Sequence, residues 1–189
     1  MNFLSTIYED LLKKIRDKTC RVGIIGMGYV GLPTMVAVAN AGFRVAGIDT
    51  DGERVHHLNH GESYINDVPD DTLKSLIDAN LISATSDYSE THDLDVILIC
   101  VPTPITKYKE PDVGPLSSAI HEFSQHARRG QLVVLQSTTY PGTTEDELRP
   151  ILEQGSGFVA GIDFHLAYSP EREDPGNTNF STKTSERIN

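Results

Sequence analysis

Residues 21–33, RVGIIGMGYVGLP, constrain the fold of this chain more than any other stretch. They begin with β-branched residues, which are typical of a buried parallel strand, and continue into a Gly-x-Gly-x-x-Gly pattern. In such a pattern Gly26 lets the chain turn off the strand, Gly28 lets the backbone approach a pyrophosphate, and Gly31 lets a helix pack tightly. The first N–H groups of that helix, which carries Pro33 in its first turn, attract the anion. The sequence therefore predicts a phosphate-binding strand–turn–helix unit.

The next predicted strand, residues 44–48, helps to identify which dinucleotide the unit binds. It ends in Asp49, eighteen residues after Gly31. A carboxylate at this point accepts hydrogen bonds from both ribose hydroxyls of adenosine and repels a 2′-phosphate. No Arg or Lys lies at positions 50–53 to bind such a phosphate, so the pattern favours NAD over NADP. A ligand-free unit with packing glycines is disfavoured, because strand, glycines, helix and acid all fall at the required spacing.

Strand-like apolar runs alternate with helix-length segments along the rest of the chain. The strongest runs are 95–101 and 131–136, and shorter ones are 82–85 and 164–168. This alternation predicts the α/β class, as a Rossmann-type doubly wound parallel sheet. Ligands of such sheets bind beyond the carboxyl ends of the strands. Helices are predicted, among others, over residues 115–128 and from the acidic stretch near 145 to about 154.

An extra helix is predicted before the first strand, since residues 3–17 show helical periodicity. We expect it to pack on an edge of the domain or on a partner chain. The expected organisation is an N-terminal helix (1–19), an NAD-binding domain (20–176) and a polar tail (177–189).

The composition of the chain and the positions of its charged, apolar, cysteine and histidine residues argue against several classes of function. The formal net charge of −11, with no basic cluster, argues against a nucleic-acid surface. No signal peptide or membrane-length apolar run is visible, so we expect a cytoplasmic protein without membrane contact. Cys20 and Cys100 are expected to be reduced, inert core thiols. His56, His57 and His60 are expected to form a solvated helix face, so no metal site is predicted.

Four polar or glycine-rich blocks follow in order along the chain: GYVGLP, VPTP, STTYPGTTE and SPERE-PGN. Together they resemble the UDP-glucose/GDP-mannose dehydrogenase family, and within it the branch that oxidises UDP-N-acetylhexosamines such as UDP-N-acetylglucosamine. The resemblance covers about residues 20 to 180, which correspond to the N-terminal NAD-binding half of the family. It implies oxidation of the sugar CH₂OH at C6 to a carboxylate, with two NAD⁺.

The resemblance also assigns site residues. Thr138 is similar to the threonine that positions a water, and Glu171 to the glutamate proposed as general acid/base in thioester hydrolysis. Asp49 would bind the ribose and Arg54 would lie over the adenosine end. The other implied cofactor residues are Gly26, Met27, Gly28, Tyr29, Val30 and Gly31 at the pyrophosphate, with Val101, Pro102, Thr103, Pro104, Ser137 and Thr138 beside the ribose and nicotinamide.

The family's nucleophilic cysteine, its oxyanion-stabilising lysine and asparagine, and its sugar-binding half lie C-terminal to the matched stretch. We therefore expect the NAD-binding half of a UDP-sugar dehydrogenase, inactive alone. Whether the protein is a monomer or a homodimer stays open, and a homodimer would form mainly through those absent elements. A stand-alone NAD-binding or regulatory module is the alternative. Hydroxyacyl and 6-phosphogluconate dehydrogenases lack the STTYPGTTE and SPERE pair, and a methyltransferase would not need the blocks at Thr138 and Glu171.

Overall fold

A parallel six-stranded sheet forms the centre of the computed structural model, which describes residues 3–104 and 111–169. The strands are Arg21–Ile25 (β1), Arg44–Ile48 (β2), Ile82–Thr85 (β3), Val96–Ile99 (β4), Leu132–Leu135 (β5) and His165–Tyr168 (β6). The α-helices are Phe3–Arg16 (α1), Gly31–Asn40 (α2), Gly52–Asn59 (α3), Asp70–Asp78 (α4), Gly114–Ser124 (α5) and Arg149–Ser156 (α6).

The strand order β3-β2-β1-β4-β5-β6 is that of a doubly wound sheet. The chain builds outwards from β1 to β3, crosses back to β4 beside β1, and then builds outwards to β6. Ile25 lies level with Ile48 on one side and with Ile99 on the other, so the carboxyl ends of the central strands finish together. A crevice at the reversal between β1 and β4 is the usual ligand position in such sheets. The predicted α/β Rossmann-type class is confirmed.

Apolar side chains fill both faces of the sheet, which is why its strands are apolar almost throughout. On one face Ile24 packs in a cluster with Met35 of α2 and Leu73 of α4. On the other face Ile97 packs in a cluster with Phe123 of α5 and other buried residues. All five side chains are almost completely buried.

The predicted N-terminal helix is present as α1 and packs on the amino edge of the sheet. Leu11 is buried in the core, and Lys14 Nζ lies 2.6 Å from Asp95 Oδ1. Arg128 Nη2 lies 2.8 Å from the same oxygen, and the backbone N–H of Arg21 donates to Asp95 Oδ2 at 3.0 Å. Burial alone would raise the pKa of Asp95, but these hydrogen bonds outweigh it and the pKa lies below its ordinary value. Through Asp95, these contacts join α1 to the first residue of β1, to the residue before β4 and to the turn before β5.

The helix predicted over residues 115–128 is shorter, because α5 ends at Ser124. Arg128 instead belongs to a turn, where its N–H donates to the Gln131 side chain at 2.7 Å. The guanidinium of Arg128 bonds the carbonyl of Leu94 at 3.1 Å, in addition to Asp95. These long-range bonds stabilise the turn and end the helix.

The acidic helix predicted to residue 154 has two parts. A π-helical turn over Thr143–Leu148 leads into α6. Pro150 has no N–H to donate to the preceding turn, which accounts for the irregular start. A short 3₁₀ helix, Tyr88–Asp93, was not predicted.

Two expectations lie outside the described residues: the role of Glu171 and the polar tail 177–189. None of the helices within the described ranges is long and apolar enough to cross a membrane.

Candidate coenzyme site

The glycine turn after β1 is shaped by two close approaches of backbone to backbone. Gly26 has a φ of +92°, and a Cβ there would lie 2.9 Å from the carbonyl oxygen of Cys100. A Cβ on Gly31 would lie 1.8 Å from the carbonyl oxygen of Gly26. Because any larger side chain would separate α2 from β1, these two glycines set the tight turn that the sequence predicts.

Gly28 lies in a different environment, since a Cβ built there would meet no heavy atom within 4 Å. No packing contact in the described structure therefore requires a glycine at this position. The space in front of Gly28 suits a ligand that approaches the backbone closely, as a pyrophosphate does in this kind of turn.

Asp49 connects the glycine turn to the start of α3. Its carboxylate is almost fully buried and accepts the N–H of Met27 at 2.7 Å and that of Asp51 at 2.9 Å. Arg54 Nη1 lies 3.3 Å from the same oxygen that Met27 contacts. These three bonds occupy three of the roughly four acceptor positions of a carboxylate, which leaves room for a ribose hydroxyl.

A cavity of about 590 Å³ opens beside Asp49 at the carboxyl edge of the sheet. Its walls come from the ends of β1 and β2, from the loop after β4, and from α5 through Ser118 and Ala119. Tyr88 contributes one wall; burial, with the nearby charge of Asp49, raises its pKa to about 12. We call this space the large cavity. Its size and mixed lining suit an adenosine group.

A second recess, of about 280 Å³, lies on the other side of the glycine turn. Thr103 and Ser137 line it and join the loops that follow β4 and β5. Ser137 Oγ donates to the carbonyl of Val101 at 2.7 Å, and Thr103 Oγ1 donates to the carbonyl of Thr138. Arg54 lines both this small recess and the large cavity. The two spaces therefore border one another at the carboxyl edge.

The structure brings most of the expected site residues to these two spaces. The large cavity or the small recess is lined by Gly26, Gly28, Tyr29, Val30, Asp49, Arg54, Val101, Pro102, Thr103, Ser137 and Thr138. Among the expected residues that the structure describes, three line neither space: Met27, Gly31 and Pro104. The Met27 side chain is fully buried beneath Gly47, so its contribution comes from its main chain.

Sequence reasoning missed two tyrosines at the site. Tyr88 belongs to the unpredicted 3₁₀ helix, and Tyr64 lies in a turn-rich segment without periodicity. Tyr64 O–H donates to the carbonyl oxygen of Met27 at 2.6 Å. No local pattern indicates this bond, because its partners are 37 residues apart.

The two cysteines are buried and are not joined in a disulfide. Burial, together with the nearby charge of Asp95, raises the pKa of Cys20 to about 11. Cys100 Sγ lies 3.1 Å from Gln136 Oε1. A thiol nucleophile needs a lowered pKa and access to solvent, so Cys20 does not have the properties of one.

Three histidines, His56, His57 and His60, lie together at the end of α3. His57 Nδ1 lies 2.7 Å from Glu62 Oε2, and within the described ranges no three His, Cys, Asp or Glu side chains form a group that could hold a metal ion. His165 begins β6 and packs edge-on against the ring of Tyr8, 6.0 Å between centroids. It therefore lies towards the amino edge of the sheet rather than at the crevice.

A family model described as the NAD-binding domain of the UDP-glucose/GDP-mannose dehydrogenase family matches residues 20–189. The chain belongs to this family. The match agrees with the resemblance noted in the glycine turn and in the blocks that follow the later strands. It also agrees with NAD as the cofactor favoured by Asp49.

Curated relatives and a solved structure agree with this membership. UDP-N-acetyl-D-glucosamine 6-dehydrogenase of Salmonella typhi is 38% identical over 82% of this chain, and protein CapL of Staphylococcus aureus is 37% identical over 88%. The crystal structure of NDP-N-acetyl-D-galactosaminuronic acid dehydrogenase from Methanosarcina mazei Go1 superposes with a TM-score of 0.81, at 35% identity over 93% of the chain. The chain spans only 36% and 38% of the two curated relatives and 38% of the solved chain.

Proposed function

We propose that the chain is the NAD-binding half of an NAD-dependent UDP-N-acetylhexosamine 6-dehydrogenase. One observation carries the proposal: a large cavity, a glycine turn with open space at Gly28, and a small recess follow one another along the carboxyl edge. Their order is that of adenosine, pyrophosphate and nicotinamide in a dinucleotide. Relatives that share this half are UDP-N-acetylhexosamine dehydrogenases by name.

The residues of the glycine turn and those just after β2 would hold the coenzyme. Backbone N–H groups around Gly28 bind the pyrophosphate, and Asp49 accepts a ribose hydroxyl. Arg54, which is already paired with Asp49, flanks the adenosine end. When bound, NAD supplies a hydride acceptor at the small recess. Ser137 and Thr103 keep the walls of that recess together through their bonds to Val101 and Thr138.

Thr138 and Glu171 carry the proposed chemical roles. The Thr138 side chain is exposed at the small recess, where its hydroxyl would orient a water. Glu171, three residues after β6, would move protons during hydrolysis of a covalent intermediate. Both roles rest on the resemblance of the STTYPGTTE and SPERE blocks.

The substrate would be a UDP-sugar whose C6 hydroxymethyl group is oxidised to a carboxylate. The second oxidation needs a thiol that traps the aldehyde. Because burial raises the pKa of Cys20 and Cys100 is also buried, we assign that thiol and the sugar contacts to segments beyond this chain. A homodimer would form mainly through those segments. The two cysteines, which are not joined in a disulfide, fit a cytoplasmic protein.

A second candidate is a stand-alone NAD-binding module without catalysis. The burial of both thiols favours it, since the described residues offer no reactive cysteine. Binding experiments alone do not separate it from the first candidate, but turnover by the chain joined to the missing half would.

The choice of coenzyme tests the site directly. We expect calorimetry to show binding of NAD⁺, much weaker binding of NADP⁺, and no binding of S-adenosylmethionine. Asp49→Ala should remove the difference between NAD⁺ and NADP⁺, because the ribose acceptor and the charge that repels a 2′-phosphate are both lost. Asp78→Ala, an exposed acid at the end of α4, is the matched control and should keep the preference. Equal binding of both coenzymes to the unmodified chain would contradict the role of Asp49.

The isolated chain should not turn over substrate. With UDP-N-acetylglucosamine and NAD⁺, we expect no rise in NADH absorbance at 37 °C. NADH production by this chain alone would show that the missing half is not required.

A further inference from the structure

The main chain of Met27 is held from both sides by side chains of other elements. Asp49 Oδ2 accepts its N–H at 2.7 Å, and Tyr64 donates to its carbonyl oxygen at 2.6 Å. Arg54 closes the ring, because its Nη1 lies 3.3 Å from Asp49 and its guanidinium lies 5.9 Å from the centroid of the Tyr64 ring. Three side chains, those of Asp49, Arg54 and Tyr64, therefore hold the Gly26–Met27 and Met27–Gly28 peptides of the glycine turn.

Tyr64 is rigidly placed. The next residue, Ile65, and Val68 are both buried in the core. Ser63 Oγ donates to the carbonyl of Ile65 at 2.9 Å, and the N–H of Ser63 donates to Asp70 Oδ1 at 2.8 Å at the start of α4. The tyrosine thus comes from an anchored segment and can fix what it contacts.

The Tyr64 hydroxyl is also a dependable donor. Burial raises the pKa of Tyr64 well above its ordinary value, and the negative charge of Asp49 raises it further. The phenol therefore stays protonated throughout the physiological range, and its single O–H points to the Met27 carbonyl.

Orienting this carbonyl also orients the neighbouring N–H. In a trans peptide the C=O of one residue and the N–H of the next point in opposite directions in one plane. The described residues contain no cis peptide, so fixing the Met27 carbonyl fixes the direction of the Gly28 N–H. Gly28 is the position with open space in front of it.

We propose that Tyr64 is a positioning residue for the coenzyme pyrophosphate, which acts by presetting the Met27–Gly28 peptide through its bond to the Met27 carbonyl. This inference rests on the proposed NAD site. It assigns a role in coenzyme binding to the segment between α3 and α4, which the glycine pattern and Asp49 do not identify.

Ligand dissection in Tyr64→Phe tests the inference, because this change removes only the hydroxyl. Affinities for NAD⁺ and ADP-ribose are measured by calorimetry, and the affinity for adenosine by ligand-observed NMR. We expect about fivefold weaker binding of NAD⁺ and of ADP-ribose, the effect of one hydrogen bond, and unchanged binding of adenosine. Tyr8→Phe, an exposed tyrosine on α1, is the control and should bind all three ligands normally.

The adenosine measurement also reports whether the variant is folded at the site. An equal loss for adenosine and ADP-ribose would show a general structural role and overturn the inference. Unchanged binding of ADP-ribose would overturn it as well. If the unmodified chain binds no NAD⁺, the proposed function itself fails and this inference fails with it.

Discussion

The two edges of the sheet are built in opposite ways. At the carboxyl edge, glycines, short polar side chains and prolines surround the large cavity and the small recess. At the amino edge, α1 covers the ends of the strands, and the carboxylate of Asp95 pairs with Lys14 and Arg128. Both edges contain a buried aspartate, Asp49 at one and Asp95 at the other.

The comparison shows that a buried, hydrogen-bonded aspartate has a different role at each edge. Asp95 pairs with two cations and one backbone N–H, so its bonds join α1 to the sheet. Asp49 accepts two backbone N–H groups and one cation, all at the border of a cavity. We therefore expect changes at the amino edge to alter stability and changes at the carboxyl edge to alter binding.

The largest effect should come from the glycine turn. Gly31→Ala places a Cβ 1.8 Å from a carbonyl oxygen, so we expect a loss of about 3 kcal/mol in the free energy of unfolding and no detectable NAD⁺ binding. The Cβ of Gly28→Ala meets no heavy atom of the described residues within 4 Å, so its stability should stay within about 0.5 kcal/mol of the original while NAD⁺ binding weakens roughly a hundredfold.

Urea unfolding and calorimetry measure the two quantities. Gly52→Ala, whose Cβ also meets nothing within 4 Å, is the control and should change neither greatly. If Gly28→Ala bound NAD⁺ normally, the pyrophosphate would not lie against this turn.

A smaller effect, on stability alone, is expected at the amino edge. Asp95→Asn should lower the free energy of unfolding by about 2 kcal/mol at pH 7, because Lys14 and Arg128 lose their anion. NAD⁺ affinity should not change. Asp17→Asn, an exposed acid just after α1, is the matched control.

The difference in stability between Asp95→Asn and the original chain should shrink as the pH falls. The pKa of Asp95 is lower in the folded than in the unfolded chain, where it lies near 3.9. Its stabilisation is therefore complete above about pH 4 and is lost as the pH falls through the folded value. Unfolding curves of Asp95→Asn and of the original chain should converge below pH 4; a constant difference down to pH 2 would exclude this origin.

The smallest effect concerns Cys20 at the amino edge. With a pKa of about 11, its thiolate fraction at pH 8 is far below that of an ordinary cysteine. We expect a disulfide reagent to modify Cys20 in the Cys100→Ser variant at least tenfold more slowly than a free thiol. Modification should become fast in urea, and equally fast reaction in the folded protein would mean that α1 does not cover this edge.

The sequence predicted features whose residues are close together in the chain. The turn from Gly26 to Gly31 and the acid at Asp49 follow from local spacing, and the strands follow from short apolar runs. Interactions between distant residues left no such signal. Lys14 and Asp95 are 81 residues apart, Arg128 and Asp95 are 33 apart, and neither separation has a characteristic pattern.

Helix ends were predicted less well for the same reason. The early end of α5 depends on bonds from Arg128 to Leu94 and Asp95, which only the folded chain brings together. The π-helical turn before α6 has a local cause in Pro150, but helical periodicity alone does not distinguish a π turn from an α turn.

The position of Asp49 has a practical consequence for protein engineering. Its carboxylate accepts the N–H groups of Met27 and Asp51 in addition to its proposed contact with the ribose. A redesign that accepts a phosphorylated coenzyme must therefore supply new acceptors for two amides, as well as remove a negative charge. Libraries that vary residue 49 together with its neighbours in both turns are better suited to that aim than a single exchange.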